Sequence, residues 1–237
     1  MIIGIAGRIG SGKDTVGEII QKLCLTNKGP EFEIKKFAGK LKQMASLLTG
    51  IPVEDFEDQE IKNSILGEEW GKLGVNNPLL AIEPFKKFQF WELMSVRELL
   101  QKLGTDTVRD GLHKDAWVNA LFADYTKRII HYPLTEEQIE YNNKQTGPVP
   151  SVNEKLDYPN WVITDMRFPN EMEAVVKRGG LTIKVIRPVK KSKTTPRLHP
   201  SETALDGHTM HYDIINDGSM EDLIAKVREI LIEQKII

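Results

Sequence analysis

An α/β architecture, a parallel sheet with helices on both faces, is what this sequence predicts. Three observations predict it. The chain opens on a short β-branched strand, Ile2 to Ala6, a continuous apolar run of the kind buried on both faces. That strand runs straight into a loop with glycines at Gly7, Gly10 and Gly12. Apolar strands then alternate with segments of helical periodicity to the end of the chain. Crossovers in such a sheet are right-handed, and ligands sit at the carboxyl ends of the strands.

The elements follow in order. A helix fits Lys13 to about Leu25, because Val16, Ile19, Ile20 and Leu23 recur at i, i+3, i+4 and i+7. Phe32 to Phe37 fits a second strand. Lys40 to Leu48 has helical pattern and stops at Gly50-Ile51-Pro52. Val53 to Met94 is irregular and opens with an acidic run, Glu54 to Glu60, expected to be a solvated face; it reads as an inserted lobe. Ser95 with Glu98 has capping-box form, and Val96, Leu99, Leu100 and Leu103 make the stripe of the helix that follows. A further helix is expected over Ala116 to Arg128. Pro133 to Asn160 is polar with four prolines and reads as a structureless surface excursion. Strand pattern resumes at Trp161 to Asp165. Asn170 with Glu173 marks the next helix, ended at Gly179-Gly180. Leu181 to Ile186 is another strand, Val189 to Leu205 a basic loop, and Tyr212 to Ile215 the last strand. The final helix carries Met220, Leu223, Ile224, Val227 and Leu231 on one face.

Composition narrows the function. The chain has 237 residues, 40% hydrophobic and 28% charged, enough to bury a large core in one domain. Lysine and arginine number 32 against 34 acidic residues, a net charge of −2. A basic coat for stable nucleic-acid binding is therefore not expected. One cysteine, Cys24, permits no internal disulfide and is expected to be structural. No apolar run reaches the 18 or so residues of a membrane span. The first residues lack a basic leader, so no signal peptide and a cytoplasmic setting are expected. His208 and His211 have H-x-x-H spacing without a further ligand nearby, and no metal site is expected there.

Gly7-Arg8-Ile9-Gly10-Ser11-Gly12-Lys13 matches G-x-x-x-x-G-K between a strand and a helix, the context the phosphate-binding P-loop demands. Glycines let the backbone wrap phosphate, N–H groups point inward, and the helix N-terminus adds its positive end. Arg8, Gly10, Ser11, Gly12, Lys13, Asp14 and Thr15 are thus the expected ATP-binding residues, with Lys13 bridging the β- and γ-phosphates. Asp14 stands where the motif has the Ser or Thr whose hydroxyl ligates Mg²⁺. The residues leave three roles open: Asp14 as ligand, direct or through water; Thr15 as its stand-in; or Asp14 facing the acceptor.

The loop also resembles the Ser-Gly-Lys-Asp form found in phage deoxynucleoside monophosphate kinases. Three later blocks resemble the same family: Ser95 to Asp106 continuing through Arg109 to Trp117-Val118; Val162 to Glu171; and Arg187-Pro188 through His199-Pro200-Ser201-Glu202 to Asn216-Asp217-Gly218-Ser219. They occur in family order and span almost the whole chain. The resemblance implies one P-loop kinase domain, a three-layer fold with a core at about 1–50, 95–130, 161–188 and 206–237. It also implies an acceptor-binding lobe at about 51–94, a variable excursion at about 133–160 and a lid at about 189–205. The implied reaction moves the ATP γ-phosphoryl to a 5′-deoxynucleoside monophosphate with Mg²⁺ as cofactor. Small nucleotides are then the partners, and the setting is the host-cell cytoplasm if the chain is phage-encoded. A homodimer is compatible with this reading, and the sequence sets no oligomeric state.

Phosphoryl transfer needs alignment and positive charge, and no general base when the acceptor is already a phosphate. Arginines and lysines are therefore the residues to seek. Arg97 lies off its helix stripe in the first turn, where a cation opposes the helix dipole; binding the acceptor phosphate explains it better than stability does. Arg109 and Lys62 are further acceptor candidates. Asp165, at the carboxyl end of a strand, is expected beside the acceptor or holding Mg²⁺ through water. Arg167 reaches the acceptor or the transferring phosphoryl group. Arg187 and Arg197, with Lys190, Lys191 and Lys193, bring lid charge to the γ-phosphate, and His199 and Glu202 order that lid. Asn216 and Asp217 frame the adenine edge. Trp91 and Trp117 are packing residues. Two other classes keep a place: another small-molecule P-loop kinase such as dephospho-coenzyme A kinase, and a nucleotide-dependent switch. Against a GTPase switch, Asn143-Lys144-Gln145-Thr146 lacks the aspartate of the guanine motif.

Overall fold

The computed structural model describes residues 1–73, 91–132, 134–145, 147, 149–188 and 203–237. In chain order the elements are β1 (Ile2–Ala6), α1 (Lys13–Thr26), β2 (Phe32–Lys35), α2 (Ala38–Thr49), α3 (Gln59–Asn63), β3 (Lys72–Leu73), β4 (Trp91–Glu92) and α4 (Val96–Gln101). They continue with α5 (Ala116–Phe122), β5 (Arg128–Tyr132), α6 (Glu136–Asn143), β6 (Asn153–Asp157), β7 (Asn160–Met166), α7 (Pro169–Val176), β8 (Leu181–Ile186), β9 (Tyr212–Ile215) and α8 (Met220–Glu233). They fall into two compact units, Met1–Phe37 with Val118–Ile237, and Ala38–Trp117.

The first unit is built on a sheet of order β2-β7-β1-β8-β9 with every pairing parallel. β1 is the central strand, pairing Ile2 with Trp161 on one side and Ile3 with Leu181 on the other. Because strand side chains alternate, its residues feed two cores. Ile3 and Ile5 pack with Val16 and Ile20 of α1 and Val227 and Leu231 of α8. Ile2 and Ala6 pack on the other face with Phe37, Trp161, Ile163 and Val175. A Cβ on Gly4 would lie 3.0 Å from Met166 Sδ and 3.2 Å from Val175 Cγ2, so glycine lets α7 close over the strand. Cys24 is buried in the first core, and burial pushes its thiol up to about 11. A proton held that firmly makes it the structural thiol expected.

The second unit has its own core of Ala45, Phe56, Leu66, Val96 and Leu99. The Ser95 capping box forms, with Ser95 N–H donating to Glu98 Oε2 at 2.8 Å and Glu98 N–H to Ser95 Oγ at 3.2 Å. α4 does not stop there: the chain winds on as a π-helix over Lys102–Asp110. Gly104 sits under α2, where a Cβ would come 2.8 Å from Leu41 Cδ2. Its carbonyl accepts the Trp117 indole N–H at 2.8 Å, so Trp117 bonds as well as packs. The acidic run is divided among solvent, an ion pair from Glu57 to Lys42, and the N-cap of α3 made by Asp58.

Several local expectations need correction. β2 ends at Lys35 rather than Phe37. α5 ends at Phe122, and Arg128 begins a strand instead of closing a helix; the β-branched Ile129 and Ile130 favour that strand. The excursion is not structureless: β5 pairs antiparallel with β6, Ile129 opposite Leu156, with α6 between them. α7 is capped by Glu171 rather than through Asn170 and Glu173. The Glu171 carboxylate accepts the N–H groups of Arg167 at 2.6 Å and Phe168 at 3.0 Å, and Pro169 takes the first turn, where its missing N–H costs nothing. Met220 lies half exposed, off the buried face of α8.

Candidate active site

The glycine loop leaves the carboxyl end of β1. Its neighbours β7 and β8 end beside it, the place where an open parallel sheet forms a ligand crevice. Gly10 and Gly12 take φ of 75° and 100°, left-handed conformations that glycine adopts without strain. Ser11 N–H donates to the Arg8 carbonyl at 3.1 Å, closing the turn. The N-terminus of α1 opens on the loop with no side-chain cap, so its positive end faces the space the loop encloses. Lys13 reaches back across the loop, its Nζ donating to the Arg8 carbonyl at 2.9 Å.

A cleft of about 750 Å³ lies against this loop. Arg167 lines it just past β7, Lys184 from β8, and Arg187 and Pro188 just past β8, with Leu205 and Asp206 closing another side. The structure thus brings Arg167 and Arg187 to the strand ends on either side of β1. The Arg187 guanidinium donates to the Gly10 carbonyl at 3.4 Å, and Arg8 is tied to Asp206 at 2.8 Å. Ser11 Oγ lines the same cleft, is almost wholly buried, and has no hydrogen-bond partner among the described residues. A buried hydroxyl left so is suited to a phosphate oxygen.

Asn216 serves the loop itself. Its Nδ2 donates to the Ser11 carbonyl at 2.9 Å, while its own N–H donates to the Ile186 carbonyl at 2.7 Å. Carbonyl and following N–H point opposite ways across a trans peptide. Holding the Ser11 carbonyl to Asn216 therefore turns the Gly12 N–H to the other side. Asp217 is paired with Lys226 at 3.1 Å.

Asp14 opens α1. Its Oδ1 accepts the Thr164 hydroxyl at 2.6 Å and lies 3.3 Å from Lys36 Nζ. Partial burial pushes its pKa up, but the Thr164 hydroxyl, Lys36 and Lys13 together outweigh this and hold the carboxyl below the usual range. Thr15 follows it, half-buried. Asp165 Oδ1 accepts the Phe37 N–H at 2.7 Å, so one of its oxygens fixes the exit of β2.

The other candidates belong to the second unit. The Arg97 guanidinium is aimed by α3: its Nε donates to Asn63 Oδ1 at 3.1 Å and its NH2 to Gln59 Oε1 at 2.9 Å. Lys62 Nζ donates to the Glu57 carbonyl at 3.2 Å. Arg109 sits near the end of the π-helix, a helix form that often marks a functional position. Arg197, Lys190, Lys191, Lys193, His199 and Glu202 lie outside the described residues, as does most of the expected lid. His211 Nδ1 meets Thr182 at 2.7 Å, and no group of three or more metal-ligating residues gathers among the described residues. Sequence reasoning missed Thr164, Lys36, Lys184 and Asp206. Only Thr164 carried a signal, a hydroxyl set in an apolar strand.

A glycine loop between the central parallel strand and a helix N-terminus, flanked by cations at the neighbouring strand ends, defines a P-loop nucleotide-binding protein. A family model described as deoxynucleotide monophosphate kinase matches residues 57–227, a stretch that begins after the loop and so adds to it independently. The chain belongs to the deoxynucleotide monophosphate kinase family. It is similar to the deoxynucleotide monophosphate kinase of Enterobacteria phage T4, 30% identical over 137 residues, a match covering 58% of this chain and 45% of that protein. It is also similar to the deoxynucleoside-5′-monophosphate kinase of Escherichia phage T5, 23% identical over 253 aligned positions that cover 91% of this chain and 89% of that one. The chain thus spans less than half the length of the T4 relative and most of the T5 one.

Proposed function

We propose that this chain moves the γ-phosphoryl group of ATP to the 5′-phosphate of a deoxynucleoside monophosphate, giving the diphosphate and ADP. The observation that carries this is the glycine loop at the end of β1, with Arg167 and Arg187 converging on its cleft. Membership of the kinase family supports a monophosphate as acceptor. The bond from the γ-phosphorus to the β–γ bridging oxygen breaks as one forms to an acceptor phosphate oxygen. Charge spreads over the γ-oxygens on the way. In this reading Lys13 and the α1 N-terminus hold the donor phosphates, and Arg167 and Arg187 meet the charge that develops.

The donor set of Asp14, Thr15 and Asp165 is all hard oxygen and fits Mg²⁺. When bound, the ion would supply positive charge that offsets the negative charge of the donor phosphates. Asp14, held ionised by Thr164 and Lys36, is the leading ligand of the three. Among the described residues no helix is long and apolar enough to cross a membrane. The reading places the work in the host-cell cytoplasm on free nucleotides.

A coupled ADP-release assay with Mg·ATP tests the function. Its acceptors are dGMP, dTMP, dCMP, dAMP, their ribose forms and dephospho-coenzyme A. Turnover with one or more deoxynucleotides supports the kinase. Turnover with dephospho-coenzyme A alone, or slow hydrolysis indifferent to every acceptor, sinks it.

In this reading Arg97 is the main cation for the acceptor phosphate, and Arg109 and Lys62 are further candidates. Arg97→Ala is expected to raise the acceptor KM by about tenfold or more while moving the ATP KM little. That is the loss of one charge-assisted hydrogen-bonding partner, worth about 1.5–3 kcal/mol. Equal rises in both constants would make Arg97 a structural residue of the α3 contact.

A further inference from the structure

Thr164 is fully buried on β7, and a hydroxyl in such a place needs a partner. Its partner is 150 residues away in sequence: Thr164 Oγ1 donates to Asp14 Oδ1 at 2.6 Å. The close approach of α1 makes this reach possible. A Cβ on Gly17 would stand 2.6 Å from Thr164 Cγ2, so only glycine lets the helix lie this near the strand. Lys36, just past β2, comes to the same Asp14 oxygen at 3.3 Å. Both contacts are to Asp14 Oδ1.

P-loop NTPases hold Mg²⁺ with a hydroxyl on the residue after the loop lysine and a carboxylate on a nearby strand. Here the residue after Lys13 carries the carboxylate and the strand beside the loop carries the hydroxyl. We propose that Asp14 and Thr164 are this pair with its members exchanged: Asp14 is the protein's carboxylate toward the divalent cation, and Thr164 is the positioning residue that fixes it. The proposal rests on the kinase reading of the cleft. On β7 it is the Thr164 hydroxyl that bonds Asp14, while Asp165 Oδ1 accepts the Phe37 N–H.

The test titrates Mn²⁺ into the full chain with a non-hydrolysable ATP analogue, following free ion by electron paramagnetic resonance, and measures Mg·ATP turnover in parallel. Thr164→Val removes only the hydroxyl and is expected to weaken Mn²⁺ binding by about 10–100-fold, the usual effect of losing the hydrogen-bond partner of a metal ligand. Thr164→Ser restores it. Asp14→Thr weakens binding at least as much as Thr164→Val. Combining Asp14→Thr with Thr164→Asp puts each group where P-loop enzymes commonly carry it, and binding recovers above either single variant. Unchanged Mn²⁺ affinity in Thr164→Val, or a double variant no better than its weaker parent, overturns the exchange. Thr164→Asp adds charge to a packed position, so every variant is first checked by thermal melting. If the double variant does not fold, the contrast between Thr164→Val and Thr164→Ser decides. A wild-type chain that binds Mn²⁺ with the analogue yet phosphorylates no monophosphate removes the kinase reading and leaves the exchanged pair standing. A chain that phosphorylates, but binds Mn²⁺ equally well as Thr164→Val, removes the pair and leaves the kinase.

Discussion

Lys13→Ala is expected to lower turnover by about a thousandfold or more while the protein stays folded. The charge that develops on a transferring phosphoryl group is met by preorganised donors, and deleting one such donor costs about a hundred- to a thousandfold in rate. Lys13 carries a full positive charge at the mouth of the loop, so its loss belongs at the upper end. The structure explains why the fold survives. Lys13 Nζ makes its bond to the Arg8 carbonyl at 2.9 Å, and the same carbonyl already accepts the Ser11 N–H at 3.1 Å. Removing a redundant bond of this kind costs about 1 kcal/mol or less, a shift of about 2–4 °C in melting temperature for a chain of this size. Steady-state ADP release and a thermal melt on one preparation separate the two effects. Turnover within about tenfold of wild type would mean that the cradle does not hold the donor phosphates, whatever the melt shows.

The loop was legible in the sequence because its chemistry is local. Glycines at set spacing, a lysine and the flanking β-branched strand specify a strand, a turn of bare N–H groups and a helix start within fifteen or so residues. The parallel sheet was legible for a related reason: strands buried on both faces leave continuous apolar runs such as Ile2–Ala6 and Trp161–Ile163. The Ser95–Glu98 cap was legible because both partners lie within one turn. What escaped depends on residues far apart in the chain. Lys102–Asp110 holds Gly104, two threonines and two aspartates, all weak helix formers, and nothing local says that Leu41 will press on Gly104 or that Trp117 will take its carbonyl. Asn216 lies 205 residues from the Ser11 carbonyl it holds, so nothing local says that its side chain braces the loop. Asp165 was marked by its strand-end position, but the register of β7 gives the α1 side to Thr164. The β5–β6 pairing was hidden by the polar residues and prolines between its strands, since an antiparallel pair needs only a few β-favouring residues on each side.

Gly7→Ala is expected to damage the fold itself, and Gly10→Ala, three residues on in the same loop, is expected to spare it. Both positions have positive φ, 154° at Gly7 and 75° at Gly10. They differ in what a methyl group would meet. At Gly10 it meets nothing within 4 Å, so the cost is that of a left-handed alanine, about 1–2 kcal/mol. At Gly7 it would stand 2.4 Å from the Val185 carbonyl oxygen and 2.6 Å from Ser11 Oγ. The first contact is with the backbone of β8, which is paired to β1 immediately before the loop, Ala6 opposite Lys184. A carbonyl in that ladder has no rotamer by which to move away. Either β8 separates from β1 at its carboxyl end or the loop lifts off the sheet. Each route adds overpacking to a conformation essentially reserved for glycine, for a loss of about 3–5 kcal/mol. At about 2–4 °C per kcal/mol, Gly7→Ala melts roughly 6–20 °C below wild type and Gly10→Ala roughly 2–8 °C below it. ATP binding should follow the same order, because the lifted loop loses the Ser11 and Gly12 donors together. Equal melting temperatures for the two variants would mean that the loop is not seated against β8 and that glycine at position 7 serves the bound phosphate alone.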